Sequence, residues 1–382
     1  MFRYVSMLVF SVCVLAMLTG TKVSAVVAPV PTPPGFEQYS GISIGDFGLY
    51  SRLQMGLQST NNVREETTKE GDVETEFYIN TGVQSKWKKH SLGATVDYFQ
   101  IRALNLTQEQ QLYIGGTLSG RLDLTDELNL SLKISQNDYD STVENPTNII
   151  GTTSGEYITN TVQTTAAWDN KTFFVALDHK YEDYDEEDDI SLTTLDLQEN
   201  LDRKSHFINL KAGLHVHWGK IYFVAGSDRI DYSEDDVLVT QDRDSEGRQL
   251  GFGVEFAKGN FQGSVFISGI EQEFDTSAID DVEDYIGTAL AIYKINDKWS
   301  AAASLNRTAT ESNVTSSGGY IYSTAAAGAV YAPRKDVYIK AGPAYTKTKI
   351  DGSPYEIKTY NFDLTAAWQV HDRVEFLFET NI

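Results

Sequence analysis

The sequence predicts an all-β protein, a transmembrane antiparallel up-and-down β-barrel of about eighteen strands, seventeen of them visible. Three observations predict it. Apolar and polar residues alternate over long stretches. Short polar connectors recur roughly every forty residues, with a longer polar segment between each pair. Tryptophan is confined to the neighbourhood of the short connectors.

The first 25 residues read as a signal peptide: Met1-Phe2-Arg3 is a positive start, residues 8–18 a mostly apolar run, and Val23-Ser24-Ala25 a small-residue cleavage site. The whole chain carries 54 acidic and 31 basic residues, a formal charge of −23. Cleavage removes Arg3 and Lys22, giving −23 − 2 = −25, and removes Cys13, the only cysteine. The mature chain therefore has no disulfide, thiolate metal site or cysteine nucleophile. Such an acidic balance argues against nucleic acid, whose phosphates require clustered Lys and Arg. With 41% hydrophobic and 12% aromatic residues the chain is outside the disordered class.

Residues 26–35 contain four prolines and favour an extended segment, so residues 26–46 are expected to be a periplasmic lead-in and residues 47–382 the barrel. No later apolar run approaches the eighteen or so residues of a transmembrane helix; the longest are the size of residues 325–332.

Within the barrel, residues 129–135 read Asn-Leu-Ser-Leu-Lys-Ile-Ser, the period-two signature of a strand with two unlike faces. Residues 117–124, 208–217 and 361–368 repeat the pattern. Short connectors centred on 88, 126, 170, 219, 259, 297, 334 and 372 are spaced 38, 44, 49, 40, 38, 37 and 38 residues apart. Forty residues is also the length of a propeller blade, and tryptophan decides between the two. Trp87, Trp168, Trp218, Trp299 and Trp368 all lie within about four residues of a short connector, as an interfacial girdle requires. Tyr98, Tyr139, Tyr157, Tyr181, Tyr232, Tyr285 and Tyr345 flank the other ends and are expected to form a second girdle. The seventeen segments run from 47–58 to 374–382 and include 172–183, followed by an acidic loop at about 184–203. Because such barrels normally have an even count, a further strand is expected after Ile382, in a truncated chain.

At this point the residues resemble a family. Trp87-Lys88-Lys89-His90-Ser91-Leu92, then Gly120-Arg121-Leu122-Asp123-Leu124, Asn200-Leu201-Asp202-Arg203 and Asp242-Arg243-Asp244-Ser245 look like the putative β-barrel porin 2 family, with the likeness running from about Gly48 onward. The resemblance implies an outer-membrane protein of a Gram-negative bacterium, acting in exopolysaccharide or capsule export beside a periplasmic polysaccharide-export protein. The expected surroundings are outer-membrane lipid and lipopolysaccharide, and the barrel-assembly machinery is an expected partner.

Taken from the polar faces, the lumen-facing candidates are Asp97, Arg121, Asp123, Lys133, Asp178, Lys211, His215, His217 and Asp363. A mixed ladder of charges can hold sugar hydroxyls through many weak hydrogen bonds, or can simply pair across the wall. His215 and His217 share a strand face, but a pair without further ligands is a wet lumenal feature more readily than a metal site. Acidic stretches at 183–189, 234–236 and 280–281 invite calcium, yet they lack the glycine and terminal glutamate of a calcium loop and read as solvated loops. No Gly-x-Ser-x-Gly or His-Glu-x-x-His motif is present, so neither catalytic residues, cofactor nor metal is expected. Two other functions fit the same architecture: a general or solute-specific diffusion porin, and a surface-interaction barrel.

Overall fold

A chain inside hydrocarbon must satisfy each main-chain N–H and C=O internally, because each unpaired group costs several kcal/mol. This protein pairs its strands within one sheet. The computed structural model describes residues 42–60, 72–104, 110–141, 155–187, 202–233, 244–277, 279, 281–310, 320–350, 356–371 and 374–381. The expected signal peptide and most of the lead-in lie outside the described residues.

The strands are β1 (Ile42–Ile44), β2 (Phe47–Thr60), β3 (Asp72–Ser85), β4 (Ser91–Ala103), β5 (Gln110–Asp123) and β6 (Leu128–Ser141). Then follow β7 (Gly155–Asp169), β8 (Phe173–Glu187), β9 (Arg203–Val216), β10 (Gly219–Tyr232), β11 (Ser245–Lys258) and β12 (Phe261–Phe274). The last six are β13 (Val282–Lys294), β14 (Trp299–Thr310), β15 (Tyr320–Arg334), β16 (Val337–Ile350), β17 (Glu356–His371) and β18 (Val374–Asn381). They form one 18-stranded sheet whose antiparallel ladders join each strand to its neighbours in sequence. From β2 to β17 the strands run from 12 residues (β14) to 16 (β17), longer than the roughly 9–11 that a tilted strand needs to cross a bilayer.

All seventeen expected segments are present, as β2 to β18. A short additional strand, β1, precedes Phe47 inside the stretch expected to be lead-in, and it hairpins onto β2 with Ile42 opposite Leu49; the strand expected after Ile382 lies outside the described residues. A second difference is at β8, which continues through Glu187 where an acidic loop was expected from residue 184. Tyr184, Asp185, Glu186 and Glu187 pair with Thr159, Ile158, Tyr157 and Glu156 of β7. The main-chain ladder prevails over the loop-like composition.

Curvature shows in what each face carries. On one face Leu118 is 49% exposed and Val96 58%, whereas the other face packs Ser205 to 2% and Ser268 to 1%. Large apolar side chains splay on a convex surface and small polar ones crowd on a concave one, as in a sheet curled with its apolar side toward lipid.

The short turns form a linked rim. Asn170 Oδ1 accepts from the N–H groups of Thr172 and Phe173, and Asn296 Oδ1 from those of Lys298 and Trp299. Gly45 and Gly259 supply the positive φ, 57° and 59°, that two-residue hairpin turns demand. Each turn bonds onward to the next hairpin: Asp169 N–H donates to the Glu127 carbonyl, His215 N–H to Thr172, Ala257 N–H to Trp218 and Lys294 N–H to Asn260. Trp168 Nε1 donates to Glu127 Oε2 at 3.2 Å, and the Trp368 indole bonds Asp336. Each pairing keeps an apolar ring against lipid while its N–H reaches a rim carboxylate.

Replacing Leu118 by Arg is expected to cost about 2–4 kcal/mol of stability in lipid, while Arg at the neighbouring inward Thr117 costs under about 1 kcal/mol. Equilibrium unfolding of the two variants in vesicles measures this, and equal costs would contradict the assigned faces.

Candidate functional site

The inner wall is built by strand parity. Once Leu118, Leu132, Leu177 and Leu210 are on the exposed lipid side, the residues between them face inward. Asp97 on β4 accepts from Tyr78 Oη at 3.0 Å and Asn80 Nδ2 at 2.7 Å, both on β3. Arg121 Nε is 2.6 Å from Asp123 Oδ1, and Asp123 also accepts the His90 N–H at 3.1 Å. Arg121 and Lys133 line a recess of about 260 Å³ together with Gln163 and Thr165. That volume is below the range of pockets that enclose a whole small ligand. Asp178 accepts from the Thr165 hydroxyl.

Lys211 on β9 bridges three strands. Its Nζ is 3.2 Å from Glu255 Oε1 on β11 and 3.7 Å from the Tyr222 ring centroid on the intervening β10. His215 Nε2 is 3.0 Å from Asp169 Oδ1, and its ring meets Phe174 edge-on at 5.4 Å. Asp363 Oδ2 is buried without a hydrogen-bond partner among the described residues.

His217 departs from expectation. Strand β9 ends at Val216, so alternation stops there, and His217 is exposed in the turn, edge-on to Trp218. The tyrosines divide. Tyr98, Tyr181, Tyr285 and Tyr345 share the parity of the lipid face, but Tyr139, Tyr157 and Tyr232 share that of the inner wall. Position near a strand end marks height along the wall; only register marks side.

Further inward groups become visible in three dimensions. Lys180 Nζ is 2.6 Å from Glu182 Oε2, and the two-residue step from Asp178 to Lys180 to Glu182 was the available signal. Glu255 and Tyr222 carry no local mark of their partnership with Lys211. The inner wall is also less uniformly wet than expected: Leu290, Ile292, Ala302, Ala326, Val330 and Ala344 bury one another on the inner side of β13–β16. Among the described residues no group of three or more His, Cys, Asp or Glu is placed to hold a metal ion. Residues 188–189, 234–236 and 280 of the acidic stretches lie outside the described residues.

A sheet of this length, with lipid-facing apolar ribs and a charged concave wall, agrees with the sequence comparison, in which residues 33–381 match the family described as Putative beta-barrel porin 2. The chain belongs to that family. It is an outer-membrane β-barrel porin. No curated protein matches the sequence. Among solved structures, a ferric enterobactin receptor from Pseudomonas aeruginosa aligns with TM-score 0.51 and 7% identity, over 87% of this chain and 61% of that one. The siderophore receptor PirA from Acinetobacter baumannii aligns with TM-score 0.47 and 10% identity, over 84% of this chain and 60% of its own. The porin thus spans about 60% of the length of such receptors, and the likeness concerns the barrel fold alone.

Changing Lys211 to Met leaves the half-buried Glu255 without its cation. The porin is expected to lose about 1–3 kcal/mol and to become more cation-selective. Reversal potentials across a planar bilayer under a salt gradient read the second effect.

Proposed function

We propose that this porin is the outer-membrane conduit for a secreted exopolysaccharide or capsular polymer. The observation that carries the reading is the pairing of wall charges within the wall: Arg121 with Asp123, Lys180 with Glu182, and Lys211 with Glu255. A lumen lined this way offers hydrogen-bonding groups of both kinds without a ring of one charge sign. It suits an uncharged, hydroxyl-rich chain that must bind weakly at many points and keep moving. A pore selective for ions by charge uses rings of one sign instead. A bore walled by this many strands leaves room for water and such a chain.

In this reading the short-turn rim faces the periplasm and receives the polymer from a periplasmic polysaccharide-export protein, while outer-membrane lipid and lipopolysaccharide surround the wall. The barrel-assembly machinery inserts it.

Deletion of the gene is expected to abolish surface polymer and raise polymer retained in the periplasm, with recovery on complementation; fractionation and carbohydrate quantification measure both. Normal secretion alongside reduced uptake of a small solute would instead establish a diffusion porin.

A further inference from the structure

We infer that the inner wall carries a saccharide-binding aromatic track climbing across β3–β10 to the long-loop mouth. The register sets Tyr78 of β3 directly opposite Phe99 of β4, Phe99 opposite Tyr113 of β5, Tyr113 opposite Tyr139 of β6, and Tyr139 opposite Tyr157 of β7. After a two-residue step the row resumes: Tyr184 of β8 is opposite Arg203 of β9, and Arg203 opposite Tyr232 of β10. All share the parity of inward Asp97, Lys133 and Lys180.

The members touch. Tyr139 and Tyr157 have ring centroids 4.9 Å apart, Tyr157 and Tyr184 stack at 5.1 Å and 28°, and the Arg203 guanidinium carbon is 4.5 Å from the Tyr184 centroid. The Tyr113 ring lies over Gly115, where an added methyl group would overlap it, so that one ring is laid against the wall.

Height rises along the row. Counted from the long-loop end, Tyr78 is seventh in β3, Phe99 fifth in β4, Tyr113 fourth in β5, Tyr139 third in β6 and Tyr157 third in β7; after a step back to Tyr184, fourth in β8, Arg203 and Tyr232 are first in β9 and β10. The strip is therefore an incline from mid-wall to the mouth, and not a ring at one level. Across the bore the inward positions include Ser268, Thr288, Asn306 and Thr324, which are small and polar. Inward rings stand on that side too, Phe266 on β12, Tyr322 on β15 and Tyr338 on β16, but none of them has an aromatic residue directly opposite it on a neighbouring strand, as the members of this row do.

Pyranose rings have apolar C–H faces and a hydroxyl-rich edge, and both find partners here. The aromatic carbons meet the faces, while Asp97, already bonded to Tyr78 and Asn80, and Asn137, 2.8 Å from Tyr113 Oη, meet the edge. The ligand class is an uncharged linear hexose chain. This deepens the export reading and rests on it for the physiological polymer, although the track itself is testable without that reading.

The test is ion current through the purified full-length barrel in a planar bilayer, with maltohexaose or cellohexaose added. The wild-type protein is expected to show saturable, concentration-dependent block by at least one of them. The triple variant Tyr113→Ala, Tyr139→Ala, Tyr157→Ala is expected to keep an open conductance and the heat-modifiable gel mobility of a folded barrel while its half-blocking concentration rises at least tenfold. The corresponding Phe triple variant keeps the wild-type block within about threefold, since stacking needs the ring and not the hydroxyl. Absence of block by both sugars, equal block in the Ala variant, or equal loss in the Phe variant would each overturn the track. If block behaves as expected but gene deletion leaves secretion intact, the track stands and the export assignment fails.

Discussion

The main-chain ladder that joins β1 to β18 is what everything else in this protein depends on. Hydrocarbon offers no partner to a peptide group, so each strand must find one in its neighbours. Once strands are neighbours in sequence and in space, the side chains have only two directions available, lipid or lumen. The exposed Leu118 and the buried Ser268 are opposite outcomes of the same constraint. The short turns extend it: each turn passes a hydrogen bond to the next hairpin, so the rim is continuous even where the sheet has ended.

Lipid imposes so strict a rule that the strands were legible from one sequence. Alternation in residues 129–135 or 208–217 suits a soluble sandwich as well as a barrel, so the connections had to decide, and the tryptophans marked the short-turn end because an indole N–H needs a rim partner such as Glu127. Composition misled where it competed with pairing. The acids of residues 184–187 read as loop but have Thr159, Ile158, Tyr157 and Glu156 to pair with. At β1 the fault was the reverse, since three residues are too few to show a period.

The lumen was legible only in part, and for a physical reason. Alternation tells which residues share a face, and so pointed to Asp97, Arg121, Lys133, Asp178 and Lys211. It cannot say who stands opposite whom, because partners lie on other strands: Lys211 and Glu255 are separated by 44 positions, with β10 between them. The same blindness hid the aromatic arc, since Tyr139 and Tyr157 look like interfacial tyrosines until their register is known. His217 shows the limit at the other end, where a pattern was extended one step past Val216 into a turn.

Glycines stand opposite two further lumenal rings. Tyr50 reclines on Gly82 and Tyr222 on Gly253, each ring occupying the space where a side chain of the adjacent strand would otherwise stand. A phenol lying down takes little from the bore; one forced upright reaches toward the axis. Strand number sets the width of the barrel, but absent methyl groups decide how much of that width these two rings take, so single substitutions can narrow the passage without altering the sheet.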